Sequence, residues 1–173
     1  MSLNGKKIAL FVAQLYEDLE LWYPYYRMKE EGADVVVIGP ARETYRGKNG
    51  IPATADQEIA AVTPDDFDAL IIPGGYSPDH MRRSPEMVEF VRRMHAGGKP
   101  VAAICHGGWM LASAGILKGK RVTSYFSIKD DMVHAGALWS DNEVVQDGNI
   151  ITSRRPADLP AFCRSIIAAM RKQ

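Results

Sequence analysis

The stretch Pro100-Val101-Ala102-Ala103-Ile104-Cys105-His106-Gly107-Gly108-Trp109 constrains the fold more than any other part of the chain. A short apolar strand ends at a cysteine, a histidine and two glycines follow, and a helix-forming segment resumes at once. A parallel strand that turns this sharply into a helix holds its turn residue in a strained conformation and needs small neighbours, which Gly107 and Gly108 supply. The pattern predicts a nucleophile elbow. It places the Cys105 thiol above the carboxyl end of a sheet, at the amino end of the next helix, where free N–H groups favour an anion. The thiolate is therefore expected to form more readily than that of a free cysteine, whose pKa is about 8.5. A cysteine at a strand end can instead be a buried small hydrophobe, but the adjoining His and paired glycines favour a reactive thiol.

Strands and helices alternate around the elbow. Lys7 to Ala13, Asp34 to Ile38, Phe67 to Ile72 and Pro100 to Ile104 read as apolar strands, with shorter ones near Arg121 to Thr123, Glu143 to Gln146 and Asn149 to Thr152. Leu19 to Glu31, Pro85 to Ala96, Trp109 to Ala114 and Pro156 to Arg171 read as helices, stopped by Gly32, Gly97 and Gly115 where they end inside the chain. The segment around Gly47, Gly50 and Pro52 reads as turns. This alternation predicts an α/β fold with a mainly parallel sheet covered on both faces, a three-layer α/β/α sandwich. Ligands in such sheets bind at the carboxyl ends of strands. The acidic turn after the first strand, Gly74-Gly75 after the third and Cys105 all fall there.

The 173 residues suffice for one domain, read over residues 1–173, with residues 1–5 expected to be an unstructured or added end. Lysine plus arginine equals aspartate plus glutamate at 21 each, which gives no case for nucleic acid or an anionic membrane as partner. No stretch has the length of a membrane span or the pattern of a signal segment, so a cytoplasmic location is expected. Cys105 and Cys163 suggest neither a disulfide framework nor a metal site. His80, His95 and His134, read as lying in a loop, a helix end and a surface helix, do not group as ligands.

Glu17, Asp18 and Glu20 open the first helix. Asp18 reads as a cap, whereas Glu20, and with less contrast Glu17, are candidates for a carboxyl beside the thiol. Two such groups cannot both ionise easily, so one proton is shared and the acid can donate to the thiolate. His106 is the natural acid/base partner, although adjacent side chains diverge at a sharp turn. The N–H groups of Gly75 and His106 can form an oxyanion hole, with Gly74 beside them. Tyr125 can point into the pocket or pack in the core, and Asp79 can orient an imidazole or sit solvated in a loop.

Across nearly the whole chain these residues resemble the ThiJ/PfpI family, within the class I glutamine amidotransferase-like superfamily. The resemblance rests on Glu17 to Pro24, Ile72 to Gly75, Ala103 to Gly107, Thr123 to Tyr125, Ile128 to Asp131, Asp147-Gly148 and Ser153 to Leu159. It points to the PfpI-like intracellular protease branch and implies a flavodoxin-like sandwich, no cofactor, and dimers that assemble further into hexamers. By resemblance Cys105 is the nucleophile, His106 its partner, Glu20 and Glu17 the adjacent acids, Gly75 an oxyanion donor and Tyr125 a pocket wall. An acid reaching the Cys-His pair from a neighbouring subunit falls on Asp79, where such proteins carry glutamate. Gly108 replaces a proline and Asn49 a histidine of the family pattern. The resemblance implies several activities: proteolysis, glyoxalase III conversion of methylglyoxal to lactate, deglycation of early glycation adducts, and stress-response redox sensing or chaperoning. The expectation favoured here is a cysteine enzyme acting on reactive dicarbonyls or glycated amines. An intracellular cysteine peptidase or a non-enzymatic redox sensor is the alternative. A glutaminase is disfavoured because the late His-x-Glu of that triad is missing.

Overall fold

A computed structural model describes residues 2–172. The elements in chain order are β1 (Lys7–Phe11), α1 (Asp18–Glu30), β2 (Asp34–Gly39), β3 (Thr44–Arg46), β4 (Pro52–Thr54), β5 (Gln57–Glu58), β6 (Ala69–Ile72), α2 (Ser77–Met81) and α3 (Pro85–Ala96). There follow β7 (Val101–Ile104), α4 (Gly108–Ser113), β8 (Arg121–Val122), α5 (Lys129–His134), β9 (Leu138–Trp139), β10 (Val144–Asp147), β11 (Ile150–Ser153) and α6 (Leu159–Met170).

The main sheet has seven strands in the order β10-β11-β7-β6-β1-β2-β5. All pairs are parallel except the β10–β11 hairpin. Residues of β1 and its continuation alternate between two cores, as a period of two requires. Ile8, Leu10 and Val12 pack with Leu21 and Met28 of α1 and Phe162 and Ile166 of α6. Ala9, Phe11 and Ala13 pack with Phe90 and Val91 of α3, Met110 of α4 and Met132 of α5. Each large apolar side chain removed from water in this way stabilises the fold by about 1.5–3 kcal/mol. The expected three-layer α/β/α sandwich is the result.

After β1 the chain first builds outward to β2, then returns to the other side of β1 to add β6 and β7. The strand order reverses between β1 and β6, and the crevice beyond the carboxyl ends of β1, β6 and β7 is where such sheets take ligands. The turns after these strands are stitched together there. Tyr16 bridges to Gly75, Tyr76 N–H donates to Leu15 O at 2.9 Å, and Glu17 N–H donates to Gly74 O at 3.1 Å.

Several local expectations are corrected. Residues 2–5 form turns, and Leu3 is buried in the core beside α1 and α6, so they are not an unstructured end; Met1 lies outside the described residues. The turn-rich segment contains a hairpin, β3–β4, held antiparallel by Thr44–Thr54 to Arg46–Pro52 pairing. Three-residue strands with alternating burial are too short for a period to show in sequence. Asp79 and His80 lie in the short helix α2 rather than in a loop. The last helix begins only at Leu159, after a turn of 3-10 helix over Pro156–Asp158.

Candidate active site

Strand β7 is buried along its length and delivers Cys105 into a left-handed backbone conformation, φ 60°. For a residue with a side chain this costs about 1–2 kcal/mol, a strain the surrounding packing must hold. Gly107 makes the turn possible, because a Cβ there would lie 2.7 Å from the carbonyl oxygen of Ile72 at the end of β6. At Gly108 the side chain of Met132 occupies the space, with Sδ 2.7 Å from where a Cβ would sit.

His106 does not diverge from its neighbour. Its Nδ1 lies 3.2 Å from the Cys105 Sγ, and Nε2 lies 3.3 Å from the Ser127 hydroxyl. The ring is stacked on Tyr125, with centroids 5.3 Å apart, and meets the edge of Trp109 at 5.0 Å. Burial and the nearby Lys48 charge hold the imidazole below its ordinary pKa, favouring the neutral base.

Glu20 is fully buried. Its Oε2 accepts from the Gly74 N–H at 2.7 Å, while Oε1 is buried without a hydrogen-bond partner among the described residues. Gly74 brings the carboxyl beside the Cys105 side chain, since a Cβ there would lie 2.6 Å from Glu20 Oε2 and 2.7 Å from the Cys105 Cβ. Burial, with the Glu17 charge adding to it, pushes the Glu20 carboxyl up to about 8. Glu20 therefore keeps its proton at neutral pH and can donate it toward the sulfur. The thiol itself departs from the sequence expectation: burial first, and the Glu20 charge second, push it upward rather than down. The N–H groups of His106 and Gly75 and the charge of Lys48 pull the other way. Burial outweighs the favourable position at the head of a helix only six residues long. Both groups are thus held protonated at neutral pH, and they titrate as a coupled pair.

Gly75 and His106 present N–H groups to the sulfur, and an oxygen on a carbon bound to Sγ would meet the same donors. Gly74 is corrected: its N–H is committed to Glu20, so it positions the acid and does not serve as an oxyanion donor. Glu17 caps α1 by accepting from the Glu20 N–H at 2.9 Å, and it also faces the cavity. Asp18 is not the cap. Its carboxylate accepts from the N–H groups of Asn49 and Ile51 at 2.9 and 3.0 Å and from the Asn49 amide at 3.1 Å, latching the β3–β4 loop over the site. Asn49, where the family pattern has histidine, is thus a partner of this latch.

Cys105, His106, Glu17, Glu20, Gly75 and Tyr125 converge on one cavity of about 380 Å³. That volume suits a small molecule. Its remaining walls are Lys48, Tyr76 and Pro156, none of which the sequence singled out as functional. Lys48 places its Nζ 3.9 Å from the Glu17 carboxylate. The available sign was a lone lysine between Gly47 and Asn49-Gly50, in a loop whose position over the site depends on Asp18. Asp79 is not brought in: it pairs with Arg83 one turn along the chain at 2.5 Å and does not line the cavity. Cys163 is buried in the core between α6 and the sheet.

Fold and site together describe an α/β protein with a buried cysteine elbow. A family model described as the DJ-1/PfpI family matches residues 6–169. The chain is 46% identical over 165 residues to a Pyrococcus furiosus protein named Deglycase PfpI, covering 95% of this chain and 99% of that one. It is 42% identical to Protein/nucleic acid deglycase 2 of Escherichia coli over 94% and 96% of the two chains. Among solved structures, a two-domain protein of Anabaena variabilis with DJ-1/ThiJ/PfpI-like and ferritin-like domains superposes with a TM-score of 0.92 at 42% identity, covering 94% of this chain and 47% of that one. The chain belongs to the DJ-1/PfpI family and is related to enzymes named deglycases. No helix among the described residues is long and apolar enough to cross a membrane.

Proposed function

We propose that the protein is a cysteine-dependent deglycase with glyoxalase III chemistry, acting on reactive dicarbonyls and their early adducts on amino groups. The observation that carries this reading is the set of groups around one sulfur: His106 Nδ1 at 3.2 Å, a buried protonated Glu20, and the N–H groups of Gly75 and His106. The deglycase names of the relatives support it.

The thiol of Cys105 gives its proton to His106 and the sulfur adds to the aldehyde carbon of methylglyoxal. A C–S bond forms and the carbonyl electrons move to oxygen, which meets the two N–H donors and takes the Glu20 proton. With a glycated amine, the sulfur replaces nitrogen on the same carbon and the amine leaves with a proton. Either route gives a hemithioacetal. A base, Glu20 after addition to the aldehyde or His106 after departure of the amine, then removes the hydrogen from that carbon, a proton is returned to the adjacent ketone carbon, and the hydroxyl proton passes to the ketone oxygen. One carbon is oxidised and its neighbour reduced, so no external oxidant is required. Water cleaves the resulting thioester, releasing lactate and the thiol.

A cavity of about 380 Å³ accommodates such substrates more naturally than an extended peptide. Assembly into dimers or hexamers belongs to this reading, since the half-buried Asp79, which lies outside the cavity, would reach a Cys-His pair only from a second subunit. A reducing cytoplasm would keep the thiol free, and a stress response suits the chemistry. The test is lactate release from methylglyoxal by wild type and Cys105→Ser, beside cleavage of a fluorogenic peptide. Cysteine-dependent lactate without peptide cleavage supports the reading, and the reverse result replaces it with a peptidase.

A further inference from the structure

A second cavity, of about 320 Å³, adjoins the Cys105 cavity at Tyr125. Tyr125 walls both, and the consecutive residues Arg155 and Pro156 line one each. Phe126 adds a second aromatic ring, 4.7 Å from that of Tyr125.

The polar groups here are unequally committed. Arg154 spends its guanidinium on protein carboxylates: Nε and Nη2 donate to Asp158 at 2.9 and 3.2 Å, and Nη1 donates to Asp141 at 2.9 Å. These bonds fix the wall. Arg155 is exposed, lines the cavity and forms no ion pair among the described residues. An aromatic wall with one uncommitted guanidinium is suited to a flat or apolar body carrying an anionic group.

We propose that this cavity receives the amine half of the glycated substrate, and that Arg155 holds a carboxylate or phosphate on it. The inference rests on the deglycase reading and specifies its substrates. The reacting carbon must reach Cys105, so the body of the amine has to leave that cavity past one of its walls. On the α1 side stand Glu17 and Glu20, and Glu17 already faces the Lys48 ammonium at 3.9 Å. An anion is better placed past Tyr125, against Arg155.

The experiment compares methylglyoxal adducts differing by one anionic group: Nα-acetylarginine against its amide, and GMP against guanosine. The kcat/KM ratio within each pair is measured for wild type, Arg155→Gln, Arg155→Lys and Lys48→Gln. Calorimetric binding of the same four adducts to Cys105→Ser, with and without Arg155→Gln, gives a readout independent of turnover. The expected result is a preference of about fivefold for the charged member in wild type, lost in Arg155→Gln and kept in Arg155→Lys and Lys48→Gln. The pair that shows it distinguishes carboxylate from phosphate. No preference in either pair, or one that Arg155→Gln leaves intact, overturns the proposal, as does a preference removed only by Lys48→Gln. If wild type releases neither lactate from methylglyoxal nor amine from any adduct, the deglycase reading fails, and the binding ratio on Cys105→Ser alone decides whether Arg155 selects anions.

Discussion

The Gly74 N–H donates to Glu20 Oε2 at 2.7 Å across a separation of 54 residues, pinning the acid of the first helix to the turn after β6. There is no room behind it, since a Cβ on Gly74 would lie 2.6 Å from the same oxygen and 2.7 Å from the Cys105 Cβ. The bond fixes the carboxyl against the sulfur, and burial then decides its protonation.

A cost in stability follows. The native carboxyl titrates near 8 against an ordinary 4.5, so the folded state holds its proton over a range where the unfolded chain has lost it. Glu20's favourable contribution is thus complete below about 4.5 and disappears as pH rises to about 8. Glu20→Gln keeps an acceptor for Gly74 and removes this dependence. The expected outcome is a variant at least about 1 kcal/mol more stable than wild type at pH 8.5, or about 2–4 °C in Tm, with the difference shrinking toward pH 5. Melting curves across that range check it, and turnover should fall because the proton that Glu20 donates is gone.

Gly75 has φ 71°, and a Cβ there would lie 2.4 Å from Leu15 O and 2.6 Å from Glu17 N. Both neighbours are backbone atoms in the stitched turn, so neither can swing aside. Gly75→Ala is expected to lose at least about 2 kcal/mol in urea denaturation. Its activity should fall further than its stability explains, because the displaced N–H no longer faces the sulfur.

Lys48 lowers the thiol, the Glu20 carboxyl and the imidazole together. Lys48→Gln should therefore shift the pH profile of Cys105 alkylation by iodoacetamide upward and slow it roughly two- to fivefold near neutrality. High salt should shrink the difference, since the side chain is nearly half exposed. Asp18→Ala should reproduce part of this shift while costing about 1–3 kcal/mol, because two backbone N–H groups of the loop lose their acceptor.

These groups differ in how visible they are in the sequence, and the reason is physical. The elbow is local: strand, Cys105, His106 and two glycines are contiguous, and their chemistry follows from the turn itself. The sandwich follows from apolar strands alternating with helices. Glu20 and Gly75 required only the topological rule that loops after parallel strands share one edge. The protonation of Cys105 departs from the sequence expectation because a helix amino end is a local feature, whereas the burial that outweighs it comes from packing by segments distant in the chain, Glu20 and Gly74 among them. Lys48 and the Asp18 latch depend on a hairpin of three-residue strands, and Arg155 on a cavity formed between segments far apart in the chain. Such placements have no periodicity to reveal them.

His106 distinguishes catalysis from sensing. A redox sensor needs only the sulfur, the acid and the N–H donors, whereas proton transfer between adjacent carbons needs a base that is neutral at working pH. The imidazole meets that condition, since burial and Lys48 keep its pKa below the ordinary 6.5. As pH falls through that lowered value the ring gains a proton and can no longer act as base, so the acid limb of kcat/KM should lie below pH 6.5. The alkaline limb should appear near pH 8, where Glu20 gives up the proton it donates. His106→Ala should remove the acid limb and lower turnover by at least about a hundredfold, while peroxide oxidation of Cys105, followed by mass spectrometry, changes only a few-fold. Equal losses in both assays would mean that the histidine serves the sulfur's reactivity alone, and the sensor would then account for the site as well as the enzyme does.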